Sequence, residues 1–181
     1  MDLKKKLRRI ENFPTPGIVF WDITPLLADG PALGFLSQRM ADPFRDKKVT
    51  IVAAAESRGF IFGSLVAREL GVGLAMFRKP GKLPFKVVKQ GFQLEYGSTS
   101  VEAHIDAVSA DDRVLIVDDV VATGGTAGAA VMLVHALGGT VAGCSFLIEL
   151  EYLQGRKKLA GLCVESLIQI RNPNEQEEET G

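Results

Sequence analysis

Apolar positions along the chain gather in short runs divided by polar turns. Val49–Ala54, Gly73–Phe77, Val114–Val117 and Thr140–Ile148 are blocks of small or branched apolar residues, the pattern of buried strands. Between them, Gly59–Leu70, stopped by Gly71, and the stretch from Thr126 to Leu137 read as helices, and Pro31 predicts the start of another running toward Phe44. Strands alternating with helices predict an α/β fold built on a doubly wound, mainly parallel sheet. Leu3, Leu7 and Ile10 fall at helical spacing among Lys4, Lys5, Lys6, Arg8 and Arg9, which predicts a short amphipathic helix over Asp2–Glu11. Asn12–Gly17 has turn chemistry, Arg156–Leu159 predicts a helical turn, and Leu162–Ile170 predicts an edge strand. From Arg78 to Tyr96 the periodicity disappears, and a long irregular stretch of this kind often serves as a lid. The closing residues, 172–181, end in an acidic run that reads as a disordered tail.

Composition narrows the function classes. At 181 residues and 46% hydrophobic, the chain suits one domain spanning 1–181 with a substantial core. A formal net charge of -1 gives no global attraction to nucleic acid or an anionic membrane, so neither is expected as a partner and any basic site must be local. Cys144 and Cys163 both lie in apolar stretches, which predicts buried reduced thiols, and two distant histidines offer no zinc spacing. The apolar run at Val49–Ala55 is far too short to cross a bilayer, and the Lys-rich start lacks an apolar signal core, so cytoplasmic residence is expected.

The strongest chemical signal is the run Val114-Leu115-Ile116-Val117-Asp118-Asp119-Val120-Val121-Ala122-Thr123-Gly124-Gly125-Thr126. It reads as a buried strand, an acidic pair at its carboxyl end, a tight loop and then a helix. Ligands of open α/β sheets bind beyond the carboxyl ends of strands, and a helix amino terminus offers unpaired N–H groups to an anion. Ala122, Thr123, Gly124, Gly125 and Thr126 carry little bulk, so the main chain can wrap a phosphate, with the two threonine hydroxyls as further donors. Asp118 and Asp119 would repel that phosphate and are suited to a ribose diol or a hydrated magnesium ion. A nucleoside-triphosphate loop, G-x-x-x-x-G-K-[ST], is missing, and Gly71-Val72-Gly73 lacks the third glycine of a dinucleotide fingerprint.

Val117-Asp118-Asp119 with Ala122-Thr123-Gly124-Gly125-Thr126 resembles the 5-phosphoribosyl 1-pyrophosphate signature of type I phosphoribosyltransferases, in its adenine phosphoribosyltransferase form. The resemblance runs from about Phe13 to Leu150. It implies a sheet fold with a flexible hood over 78–97, an amino-terminal base-binding segment within 1–30, and a homodimer. The implied reaction is adenine plus 5-phosphoribosyl 1-pyrophosphate giving AMP and pyrophosphate, with Mg2+ as cofactor and Asp118 and Asp119 meeting the metal through water.

Further residues acquire roles from the same resemblance. Glu56-Ser57-Arg58-Gly59 follows a strand and opens a helix, which makes it either a second anion site on the same sheet edge or an ordinary helix cap with an exposed Arg; it resembles the family's pyrophosphate loop, with a non-proline cis peptide expected at Glu56-Ser57. Arg78-Lys79-Pro80-Gly81-Lys82-Leu83-Pro84 and Glu95-Tyr96-Gly97 resemble the two ends of the hood. Arg58, Arg78, Lys79 and Lys82 are thereby implied to approach pyrophosphate, Glu95 to assist proton movement on the purine, and Tyr96 to close over it. Phe13–Pro25 resembles the base-binding segment: main-chain groups near Val19 and Trp21 offer adenine one donor and one acceptor, and Phe20 packs near the ring. The family usually has a basic residue where this chain has Trp21. Two alternatives stay open: the same fold acting on hypoxanthine or orotate, and a non-catalytic regulator that senses the sugar pyrophosphate. The regulator reading gains nothing from a helix-turn-helix extension or basic excess.

Overall fold

The computed structural model describes residues 1–93 and 98–173. Its centre is a five-stranded, all-parallel sheet of β3 (Ile51–Ala55), β4 (Gly73–Phe77), β7 (Arg113–Val121), β8 (Thr140–Leu150) and β9 (Val164–Ile170), in the order β4-β3-β7-β8-β9. The helices α2 (Gly30–Ala41) and α3 (Gly59–Leu70) cover one face and α4 (Gly125–Ala136) the other. Successive strand residues alternate between two cores, as a sheet covered on both faces requires. Val52, Leu115, Val117 and Leu147 pack with Leu36, Met40, Phe62 and Val66; Ala53, Val114, Ile116 and Phe146 pack with Ala129, Ala130 and Leu133. No helix among the described residues is long and apolar enough to cross a membrane.

Two small antiparallel ribbons flank the sheet. The first pairs β1 (Arg8–Glu11) with β2 (Val19–Asp22). It replaces the amphipathic helix expected over Asp2–Glu11: only Lys4–Lys6 forms a helical turn, of the 3-10 type. The turn at Asn12–Gly17, with Phe13-Pro14 in cis and Asn12 Oδ1 accepting from Gly17 N at 2.9 Å, returns the chain so that β2 can satisfy the main chain of Arg8–Glu11. Cross-strand pairing, which local periodicity cannot register, decides this segment. A very short helix, α1 (Thr24–Leu27), follows β2.

The second ribbon pairs β5 (Val87–Gln93) with β6 (Ser98–His104). The irregular stretch expected from Arg78 to Tyr96 therefore carries a regular strand, anchored where Val101 and Ala103 enter the second core and Val88 packs against it. Smaller departures have similar causes. The helix expected to reach Phe44 leaves α-geometry after Ala41 because Pro43 has no N–H to donate, and a 3-10 turn over Asp42–Lys47 delivers Phe44 to the core. Cys144 is buried, as expected, but Cys163 is only half-buried.

At the far end of β8, Glu149 is buried and takes a two-pronged contact from Arg156, with Nε 2.9 Å from Oε1 and Nη2 2.5 Å from Oε2. Arg156 first, and then Ser166, hold the Glu149 carboxyl below the ordinary carboxylate range. A carboxylate with a depressed folded value adds stability that is fully present above its unfolded value, about 4.3 for Glu, and is lost as pH falls through the folded one. Glu149→Gln is thus expected to cost most at pH 7 and progressively less below about pH 4. Urea unfolding of both proteins at pH 7 and pH 3 checks this, and an equal difference at the two pH values overturns it.

Candidate active site

Beyond the carboxyl ends of the parallel strands lie two adjoining cavities of opposite character. The first, of about 310 Å³, is lined by Glu56, Ser57, Arg58, Lys79 and the unbroken run from Asp118 to Ala127. The second, of about 460 Å³, is mainly apolar, with Gly17–Trp21 on one side and Ile148, Leu150, Tyr152, Leu153 and Pro173 on the other. Arg58, Asp119, Val120, Ala122 and Thr123 belong to both.

The acidic pair does not end β7, as its sequence suggested, but lies inside it. The strand continues to Val121 because β8 keeps pairing beside it, Val120 with Ile148 and Val121 with Glu149. Asp118 and Asp119 consequently point to opposite sides, and their environments differ. Asp118 is packed beneath the first residue of α3, where a Cβ on Gly59 would lie 2.5 Å from its Oδ1; only glycine allows this approach. Burial, followed by the nearby charge of Asp119, pushes the Asp118 carboxyl well above its ordinary value. Asp119 is buried, and its Oδ2 meets Arg58 Nη2 at 2.7 Å. The same guanidinium stands 5.3 Å from the centre of the Phe20 ring, which Phe13 touches edge-on at 5.2 Å.

The loop from Ala122 to Thr126 turns into α4 through Gly124, whose φ of +74° is the left-handed conformation that favours glycine. Its bare main chain leads into the amino terminus of a twelve-residue helix, whose first N–H groups have no partner within the helix. The peptide Glu56-Ser57 is cis. Glu56 ties this neighbouring loop to the residues that follow β4: its carboxylate accepts from Arg78 Nε at 3.2 Å, Arg78 Nη2 at 3.3 Å and Lys79 N at 3.1 Å. Arg78 holds the Glu56 carboxyl below its ordinary value.

Of the residues singled out from sequence, Glu56, Ser57, Arg58, Lys79, Asp118, Asp119, Ala122, Thr123, Gly124, Gly125 and Thr126 surround the first cavity, while Val19, Phe20 and Trp21 line the second. Arg78 and Lys82 line neither. Arg78 instead engages Glu56 and donates to the Lys82 carbonyl at 3.0 Å. Glu95 and Tyr96 lie outside the described residues. The wall formed by Ile148, Leu150, Tyr152, Leu153 and Pro173 escaped the sequence reading, although Tyr152 follows β8 at the same sheet edge as the acidic pair, which was the available signal.

Among the described residues no group of three or more His, Cys, Asp or Glu could enclose a metal ion. Two carboxylates, one of them already engaged by Arg58, fit a magnesium ion that brings water and substrate oxygens as its remaining ligands, and not a closed protein site.

The parallel α/β sheet thus places a glycine-bearing loop, an acidic pair and an adjoining apolar slot at one edge. Residues 27–175 match the phosphoribosyl transferase domain, and the chain belongs to that family. Within it, the chain is 52% identical over 166 residues to an adenine phosphoribosyltransferase of Nitrosococcus oceani, covering 92% of this chain and 97% of that one. The crystal structure of adenine phosphoribosyltransferase from Thermoanaerobacter pseudethanolicus superposes with a TM-score of 0.90 at 47% identity, covering 93% and 98% of the two chains. The Saccharomyces cerevisiae adenine phosphoribosyltransferase, solved with an imino-altritol bisphosphate and adenine, gives 0.85 at 38% identity, covering 91% and 95%.

Proposed function

We propose that this chain transfers the 5-phosphoribosyl group from 5-phosphoribosyl 1-pyrophosphate to adenine, giving AMP and pyrophosphate, a reaction of purine salvage. The observation that carries the reading is the pair of cavities meeting at Arg58 and Asp119, one suited to a sugar phosphate and the other to a base. Adenine N9 forms the new bond to the anomeric carbon as the bond to pyrophosphate oxygen breaks; pyrophosphate leaves with the electron pair and adenine gives up the N9 proton. The transition state resembles an oxocarbenium ion, so the task is to manage charge and exclude water.

Each element contributes one part. The loop from Ala122 to Thr126 holds the 5-phosphate through main-chain N–H groups and the threonine hydroxyls. Asp118 and Asp119 take the ribose hydroxyls or metal-bound waters. Ser57, Arg58 and Lys79 face the departing pyrophosphate. Asp118 and Asp119 would hold a magnesium ion through water, and the ion would supply positive charge to the leaving group. Val19 and Trp21 are two residues apart on β2, so their main-chain groups share one edge of the ribbon and can give adenine its donor and acceptor. Glu95 serves the purine proton, Tyr96 completes the closure, and Arg78 and Lys82 shape the hood. The chain works in the cytoplasm as a homodimer.

The test is AMP formation from adenine, sugar pyrophosphate and magnesium beside a panel of other bases. Adenine offers a donor at C6 and an acceptor at N1, whereas hypoxanthine reverses them, and such a mismatch discriminates by roughly ten-thousandfold. Trp21 is the sole tryptophan and lines the apolar cavity, so its emission is expected to change with adenine or AMP and stay constant with hypoxanthine. Equal turnover of both bases overturns the adenine assignment; calorimetric adenine binding with silent Trp21 emission removes the indole from the pocket.

A further inference from the structure

We propose that Arg156 is a positioning residue for the phosphate-binding loop, acting through its neighbour Gly155; the assignment rests on the sugar-phosphate role of that loop. Arg156 lines neither cavity. It stands on a 3-10 turn over Gly155–Leu159 that packs behind the loop, main chain against main chain. A Cβ on Gly155 would lie 2.2 Å from the Ala122 carbonyl oxygen and 2.7 Å from Gly124 N, while one on Gly124 would lie 2.3 Å from the Gly155 carbonyl oxygen. The two segments leave no room for either to shift toward the other, so the place of this turn sets the place of the loop.

Arg156 fixes the turn. Besides its fork onto Glu149, it donates through Nη1 to the Val164 carbonyl at 2.7 Å and through Nη2 to Ser166 Oγ at 3.2 Å. Glu149 is the register partner of Val121, the residue just before the loop, and Val164 and Ser166 belong to β9. One guanidinium therefore ties the turn to the last residues of β8 and to β9, while the buried side chain of Leu159 secures the turn's other end. A planar, multiply donating head is required, because an ammonium on a flexible stem cannot satisfy both Glu149 oxygens and the Val164 carbonyl together.

The experiment compares Arg156→Lys, Arg156→Ala and Glu149→Gln with the unaltered chain. It measures kcat, KM for each substrate, and ribose 5-phosphate affinity by calorimetry. Displacing the loop is expected to raise KM for the sugar pyrophosphate about tenfold and weaken ribose 5-phosphate to a similar degree, with KM for adenine held within about twofold. Lysine should restore less than half of the logarithmic loss seen with alanine. A merely structural role predicts lower melting temperature or active fraction with both KM values and ribose 5-phosphate affinity unchanged, and that result overturns the proposal. If Arg156→Ala does not fold, Arg156→Lys and Glu149→Gln decide, since folded forms of both that bind ribose 5-phosphate normally also overturn it. Failure of the unaltered chain to make AMP would sink the adenine reading alone, because the calorimetric arm still reports on the loop.

Discussion

Replacing Asp118 and Asp119 together by Asn is expected to lower turnover by at least about a hundredfold while the chain remains folded. Neutral amides keep the shape of the pair but cannot replace ionised acceptors facing a sugar diol or a hydrated cation. The fold should tolerate the change because the charge of Asp118 is a burden on it: burial raises its carboxyl well above the ordinary value. For an acid shifted in that direction, the unfolded chain ionises first, so the folded state loses stability as pH rises from the unfolded value toward the folded one. An amide at position 118 is free of that loss at neutral pH. At position 119 the substitution gives up an ion pair whose Arg58 partner is 39% exposed, so solvent screening keeps the structural cost modest. Steady-state kinetics beside circular dichroism and thermal unfolding provide the measurement, and a folded double variant with undiminished turnover removes the acidic pair from the mechanism.

Gly124→Ala is expected to weaken ribose 5-phosphate by about a hundredfold, equivalent to ~2.8 kcal/mol, with affinity for adenine changed less than about threefold. Two independent facts demand this. The residue has φ of +74°, and its Cβ would stand 2.3 Å from the Gly155 carbonyl oxygen, a main-chain atom that cannot swing aside. Gly128→Ala is the matched control: it lies in α4, its Cβ would meet only Lys158 Cβ at 4.0 Å, and alanine favours the helix. Calorimetry on the three proteins separates the cases. Equal phosphate affinity for Gly124→Ala and Gly128→Ala would mean that the loop does not hold the anion.

The parallel sheet and its three principal helices were legible because each is written locally. Gly59–Leu70 and Gly73–Phe77 have the limits their sequence indicates, since an apolar run and a following Gly71 are short-range signals. The loop over 122–126 was legible for the same reason, its small residues being contiguous. What failed to show was set by partners distant in sequence. Arg8–Glu11 has helical spacing, yet Val19–Asp22 claims its main chain; Val120 and Val121 extend a strand because Ile148 and Glu149 lie beside them. The role of Arg78 was obscured likewise: its basic charge is plain in the sequence, but that Glu56 engages it emerges only once β3 and β4 lie side by side.

The two cavities differ in how they are written into the chain, and this bears on inhibitors and resistance. The apolar slot draws its walls from scattered segments, at 17–21, at Ile148, Leu150, Tyr152 and Leu153, and at Pro173, so a compound gripping it alone can be evaded by one substitution that reshapes a wall. The cradle over 122–126 that we propose for the phosphate is chiefly main chain, backed at Gly124 and Gly155 by contacts that admit no larger residue. On that reading, a compound anchored there and extended past Arg58 into the slot would confront the enzyme with a poor choice, because the changes that loosen its hold would also dismantle the grip proposed for the sugar phosphate.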